Sequence, residues 1–427
     1  MNNLAVGVKA LKKIIDELKS LSSVFASLKD EFNLSSKDEE TLKRTVHGAL
    51  KHYYLLSFQA KDAFKDVKDN TPELYLLVLA LYQIRYCQKT IAPFRTIEDG
   101  IKANEDLLLS FSPEELKTKL EALASSPYKI PAEVMKDPYK YNALFFSVPE
   151  WIIRMWAEQY GDEIAMALLR ATQGHKQVYV RLNHQKMTED ELLDEGVYEN
   201  SQFAKDAYVY HAALPFSQTD DYKNGKAFIE DLSLQIVSES LNLAGVINAG
   251  QLFSSTGSFS ASLGLRLKEQ GGNLLAYYPD ELTYRRGKYF YQRLSLNETK
   301  AVLCLKGEEE KVLSSSPLFD LLVIAPPSSS LGLIAKNPAL LSLLKEEEMP
   351  KITSEELSLL SLGSSRLNKG GFLVYLVKTI NKKEGEELVQ KFVKENPEFV
   401  IETSKQIFPY DYSSDGLYYA VIRKIGK

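Results

Sequence analysis

From about residue 227 onward, short apolar runs alternate with amphipathic stretches, and this alternation limits the possible folds more than any other feature. Leu274 to Tyr278, Ala301 to Leu305, Leu321 to Ile324 and Phe372 to Val377 have the length and composition of strands, and Val246-Ile247 begins another. Helical patterns fall between them, ending near Lys268 and Arg293 and spanning Glu355 to Leu367 and Glu386 to Lys394. Phe399 to Ile401 and Leu417 to Ile422 read as the closing strands. Strands separated by helices cannot be joined by tight hairpins. They imply a mostly parallel sheet with helices on both faces.

The first part of the chain has a different period. Val8, Leu11, Ile15 and Leu18 recur at helical spacing, as do Leu42, Val46, Leu50 and Tyr54. Thr71-Pro72 is a helix start, a hydroxyl N-cap followed by proline in the first turn. The segment Leu74 to Tyr86 is apolar nearly all round and is expected at the centre of a bundle. A further helix is expected near Glu114 to Leu123. Pro127, Pro131 and Pro138 then break the pattern. Trp151 to Tyr160 reads as helix and Gln177 to Leu182 as strand. The expected fold class is therefore α + α/β multidomain: a helical domain over 1–125, a small mixed connector over 140–226, and an α/β domain over 227–427.

Composition excludes several classes. A net charge of −5 argues against bulk electrostatic adhesion to nucleic acid, although a local basic surface remains compatible with it. The longest apolar runs are too short to cross a bilayer, and Met1-Asn2-Asn3-Leu4 lacks a signal-peptide layout, so a cytoplasmic protein is expected. Cys87 and Cys304 cannot make a disulfide framework, and Cys304 in its apolar run reads as a buried small hydrophobe. The five histidines have no metal-ligand spacing, with His47 and His52 awkwardly five apart, and no metal is expected.

Several motifs, taken in order, carry a resemblance. Ser36-Lys37-Asp38, Gly48-Ala49-Leu50 and Leu81-Tyr82-Gln83-Ile84 lie in the helical part. Pro149-Glu150-Trp151-Ile152, Val180-Arg181-Leu182-Asn183 and Ile229-Glu230-Asp231 follow. Then come Phe319-Asp320, Pro327, Ser329, Gly332, Ile334 and Pro338; Asn368-Lys369-Gly370-Gly371; Leu373-Val374-Tyr375; and Asp415-Gly416-Leu417-Tyr418-Tyr419-Ala420. Together they resemble, over essentially the full length, the bacterial Sun/Fmu (RsmB-type) family of ribosomal RNA cytosine-5 methyltransferases. The resemblance implies a NusB-like RNA-binding bundle, a connector, and a Rossmann-like domain that uses S-adenosylmethionine.

Departures from the family pattern gather at its chemistry. The cofactor loop after the first strand is matched to Asn248 through Thr256, where Ser254-Ser255 replaces a glycine pair and Thr256 a lysine. Asn248, Gly250, Ser254, Thr256 and Tyr278 are thus the expected, degenerate cofactor-binding positions. Tyr278 stands where a carboxylate holds the cofactor ribose, and Ala325 where an aspartate precedes the proline-cysteine pair. Ser328 occupies the position of the releasing cysteine and Lys378 that of the nucleophilic cysteine. Methyl transfer to carbon 5 of cytosine needs a thiolate to add to the neighbouring ring carbon. A lysine ammonium has no lone pair to offer at neutral pH, and serine needs a general base. All five histidines lie at or before His211, so none is expected to serve Ser328.

RNA contact is the expectation that survives. Tyr284 to Arg293 interleaves Arg285, Arg286 and Lys288 with aromatics, a pattern suited to phosphates and unpaired bases, or to a crossover helix with a solvated basic face. Arg181, with Lys176 and Lys186, and Arg44 and Arg85, with Lys51 and Lys89, are further candidates. The sequence thus supports an RNA-binding relative of these methyltransferases, with structured RNA, ribosomal by resemblance, as partner and no cytosine-5 chemistry. The alternatives are an S-adenosylmethionine-dependent RNA methyltransferase with altered chemistry, and a protein-binding scaffold.

Overall fold

The computed structural model describes residues 3–87, 99–102, 112–125, 128–174 and 177–426. They form two compact units, Met1–Gln173 with Lys336–Glu346, and Gly174–Ala335 with Glu347–Lys427.

The first unit is helical. Its centre is the helix Pro72–Tyr86, in which Leu74 to Leu81 are all buried. Thr71 caps it as the sequence predicts, its hydroxyl accepting from the Leu74 N–H at 3.3 Å. The helices Asn3–Ile15, Leu21–Phe32, Ser36–Lys51, Tyr53–Ala63 and Pro113–Ala124 surround it and share one apolar core. Two periodic runs end earlier than their spacing suggests. Leu18 lies beyond the first helix in a left-handed conformation, φ 53°, and is exposed. Tyr54 belongs to a new helix that starts after His52, so it leaves the face shared by Leu42, Val46 and Leu50. The helices Pro138–Phe146, Glu150–Tyr160 and Asp162–Gln173 complete this unit.

The second unit carries two sheets. Strands β1 (Val178–Leu182), β2 (Tyr198–Asn200), β3 (Ala207–Tyr210) and β4 (Ala227–Ile229) pair antiparallel in the order β2-β3-β1-β4. The larger sheet contains β5 (Asn248–Leu252), β6 (Asn273–Tyr278), β7 (Thr299–Leu303), β8 (Phe319–Ile324), β9 (Leu367–Val377), β10 (Phe399–Ile407) and β11 (Leu417–Lys424). Its order is β10-β11-β9-β8-β5-β6-β7. All pairings from β9 to β7 are parallel, and β11 is antiparallel to both neighbours. Alternate residues face opposite layers. Leu274, Ala276 and Tyr278 pack with Phe259, Leu263 and Tyr291 on one side, and Leu322, Ile324 and Tyr375 with Leu360, Val389 and Phe392 on the other. This is the doubly covered α/β sheet that the strand–helix alternation predicts.

The chain runs outward in opposite directions from β5 and β8, which lie side by side. Such a switch point leaves a crevice at the carboxyl ends of the strands. Asp320 fixes the other end: its carboxylate accepts from the N–H groups of Ile247 at 3.0 Å and Asn248 at 2.9 Å and from Asn368 Nδ2 at 2.8 Å. β5 therefore begins at Asn248, two residues later than its apolar pattern suggests.

Among the described residues no helix is long and apolar enough to cross a membrane. Among them, too, no group of three or more His, Cys, Asp or Glu is placed to hold a metal ion.

Candidate active site

A cavity of about 280 Å³ lies at the carboxyl ends of β5, β6, β8 and β9. Phe253 and Thr256 come from the turn after β5, Pro279 follows β6, Ala325 to Ser328 follow β8, and Lys378 follows β9. Ser328 and Lys378, 50 residues apart in the sequence, thus face one space.

Hydrogen bonds hold the two loops together. Glu384 is fully buried, and its carboxylate accepts from Ser329 N at 2.8 Å, Ser329 Oγ at 2.7 Å, Thr379 Oγ1 at 2.9 Å and Asn381 Nδ2 at 3.0 Å. Gly332 N donates to the carbonyl of Lys378 at 3.1 Å, and Gly416 N to the carbonyl of Gly332 at 2.9 Å. A Cβ at Gly332 would overlap that Gly416 carbonyl, so glycine is required by the close approach. Ser328 Oγ is turned back to its own loop, accepting from Ser330 N at 3.2 Å. No histidine or cysteine is found among the described residues lining the cavity. Cys304 sits just past β7, buried in the opposite layer, and its burial pushes the thiol up to about 11. Asp320 is at the far end of β8 and is no base for Ser328.

The expected cofactor positions separate. Thr256 lines the cavity, with its hydroxyl 3.1 Å from that of Ser258. Ser254 is beside the cavity but fully buried, bonded to Ser260 Oγ at 3.0 Å. Asn248 and Gly250 do not take part: they belong to β5 itself, and Gly250 packs against Leu322 and Phe319. The tight turn is Phe253 to Gly257, with positive φ at Phe253 (59°) and Gly257 (81°). Tyr278 does not line the cavity either, its hydroxyl packing against Gly257 of that turn. Its ring lies against Gly287, and its hydroxyl is 2.7 Å from that of Tyr291, both side chains being buried. Ser255, from the replaced glycine pair, and Gly257 also line the cavity, as do Ser258 and Pro279, which the sequence did not single out.

S-adenosylmethionine is a sulfonium cation with a ribose diol. Nucleoside cofactors on this kind of sheet are held by a carboxylate on that diol. Among the described lining residues no carboxylate occurs, and the charged one, Lys378, repels a cation. These residues do not fit that cofactor.

The RNA candidates are similarly sorted. In the helix Glu281–Arg293, Arg285, Arg286 and Lys288 are exposed beside Tyr289, which is 67% exposed, and Arg285 also pairs with Glu281 at 2.7 Å. Arg293 is instead structural, stacked 3.9 Å over the Tyr222 ring. Arg44 is exposed and Arg85 half-buried in the first unit, beside Lys119, Tyr128 and Lys129. Arg181 is not a surface cation. Strand alternation directs it toward the helix Leu232–Ser240, and it is 3% exposed, 3.8 Å from each of Asp206, Glu230 and Glu239. Lys186 bonds to the carbonyls of Asn224 and Arg293, and Lys51 to that of Gln173. Lys89 and Lys176 lie outside the described residues.

Known proteins agree with this architecture. Residues 260–423 match the family described as 16S rRNA methyltransferase RsmB/F, and residues 148–212 match its ferredoxin-like domain. A probable ribosomal RNA small subunit methyltransferase B of Bacillus subtilis is 24% identical, over 99% of this chain and 98% of its own length. Ribosomal RNA small subunit methyltransferase B of Vibrio cholerae is 22% identical over 99% of this chain and 98% of its own. The crystal structure of PH0851 has the same fold at a TM-score of 0.80 and 17% identity, covering 99% of this chain and 98% of that one. NSun6 from Pyrococcus horikoshii, solved with SFG, shares it at a TM-score of 0.58 and 13% identity, covering 65% of this chain and 99% of that one. A switch-point cavity at the positions of the motif residues, and relatives matched from end to end, lead to one conclusion: the chain belongs to the Sun/Fmu (RsmB-type) family of S-adenosylmethionine-dependent ribosomal RNA methyltransferases.

Proposed function

We propose that this protein binds structured RNA, ribosomal RNA by its family, and does not methylate cytosine at carbon 5. The observation that carries this reading is the cavity lining. Both positions that bear cysteine in the family face one space, and they hold Ser328 and Lys378. An ammonium cannot attack the ring while protonated, and among the described residues lining the cavity no base stands beside the serine hydroxyl. We infer that cofactor binding is weakened as well, because the described lining residues offer no carboxylate to a ribose.

RNA binding is supported by the helix Glu281–Arg293. Leu282, Arg285, Arg286, Lys288 and Tyr289 are all exposed on it, and cations beside an exposed ring suit phosphates and an unpaired base. Arg44 and Arg85 are the corresponding candidates in the helical unit, which we assign to RNA by its resemblance to NusB-like domains.

Mobility shift with small-subunit ribosomal RNA at a stated salt concentration tests the proposal. Binding should exceed that of an unrelated competitor RNA and fall when Arg285, Arg286 and Lys288 are changed together to glutamate. Equal affinity for both RNAs would refute it.

A further inference from the structure

The charge of the cavity is the reverse of what a sulfonium requires, and we propose that it receives the phosphate of a nucleotide against Lys378. The argument begins with the ammonium. Lys378 is half-buried on the cavity wall, and its Nζ makes no hydrogen bond or ion pair among the described residues. A half-buried cation with no counter-charge at bonding distance is favourable ground for an anion entering the cavity.

Among the described residues no other group supplies that counter-charge. Glu230 is the carboxyl whose field Lys378 feels, but it is completely buried, already hydrogen-bonded by Ser262, and 3.8 Å from Arg181. Burial pushes it up to about 7, which leaves it partly neutral near physiological pH.

The remaining lining suits the same ligand. Ser255, Thr256 and Ser258 present hydroxyls, and the helix Ser258–Lys268 starts at the wall with a glycine N-cap that offers no side chain. The positive end of that helix adds to the field of Lys378. Phe253, Phe259 and Pro279 supply apolar surface for a sugar or base. A volume of about 280 Å³ lies at the small end of ligand pockets. The inference does not require the basic helix. The phosphate can come from a free nucleotide or from an RNA strand.

Calorimetric titration of the full chain with cytidine monophosphate, cytidine, S-adenosylmethionine and a short phosphorylated oligoribonucleotide tests it, in wild type and in Lys378→Met and Lys378→Arg. Cytidine monophosphate should bind roughly tenfold or more tightly than cytidine. Lys378→Met should abolish that difference and Lys378→Arg restore it, with ligand-free melting of both variants verifying their fold. Lys378-dependent binding of the oligoribonucleotide alone identifies the RNA strand as the source; binding of the mononucleotide identifies a free nucleotide. Binding of neither, or binding of either that Lys378→Met leaves unchanged, overturns the proposal, as does preference for S-adenosylmethionine. Ribosomal RNA affinity of the helix variant is a separate measurement, so the two readings fail separately.

Discussion

Tyr278, which the family resemblance matches to a cofactor-binding position, is taken up by packing. Its hydroxyl meets Tyr291, and its ring occupies the space left by Gly287. A Cβ at Gly287 would overlap that ring. Alanine in place of a helical glycine ordinarily stabilises by up to about 1 kcal/mol, whereas overpacking costs about 1–3 kcal/mol. Gly287→Ala should therefore be net destabilising in urea denaturation; a rise in stability would show that Tyr278 is free to move. Glu356 makes a second residue-scale test. Burial, reinforced by the Glu384 carboxylate, pushes it up to about 10, from an ordinary 4.5. Its folded-state value lies above that of the unfolded chain. The stability it contributes is thus complete below about pH 4.5 and is lost as the pH rises toward about 10. Glu356→Gln should match wild type near about pH 4 and exceed it near about pH 8 by on the order of 1–3 kcal/mol, measured by chemical denaturation. Equal stabilities at both pH values would contradict the assignment of a neutral buried carboxyl.

At the scale of elements, the basic helix Glu281–Arg293 gives the sharpest prediction. Each phosphate contact made by a lysine or arginine contributes close to one to the slope of log affinity against log salt. Changing Arg285, Arg286 and Lys288 together should lower that slope by about 2 to 3. An unchanged slope would mean that the helix faces solvent only. Long elements were legible in the sequence because their own periodicity determines them: the Thr71-capped helix and strand β6 fall where spacing puts them, while β8 and β9 begin two and five residues before the apolar runs at Leu321 and Phe372. The beginning of β5 was not legible. Val246-Ile247 is strand-like by composition, yet Asp320, distant in sequence, captures the N–H groups of Ile247 and Asn248 and sets the pairing. That displacement moved the expected cofactor loop onto Asn248 and Gly250. Strands β2 to β4, three or four residues each, are too short to show a period. Arg181 was read as a surface cation because its three carboxylate neighbours come from separate elements.

For the whole molecule, the methyltransferase fold of the family is present, while the positions we match to its two cysteines hold Ser328 and Lys378. The sheet order, the switch-point crevice and the Glu384 network bring Ser328 and Lys378 to one cavity, as the order of the motifs led one to expect. Their identities were plain in the sequence, but their isolation from any base or thiol was not, because it depends on which side chains the fold leaves outside. The most direct test of the account is transfer of labelled methyl groups from S-adenosylmethionine to small-subunit ribosomal RNA by purified protein that binds that RNA. The account predicts no label at carbon 5 of any cytosine above a protein-free control. Label at that position that disappears in Lys378→Ala would contradict it.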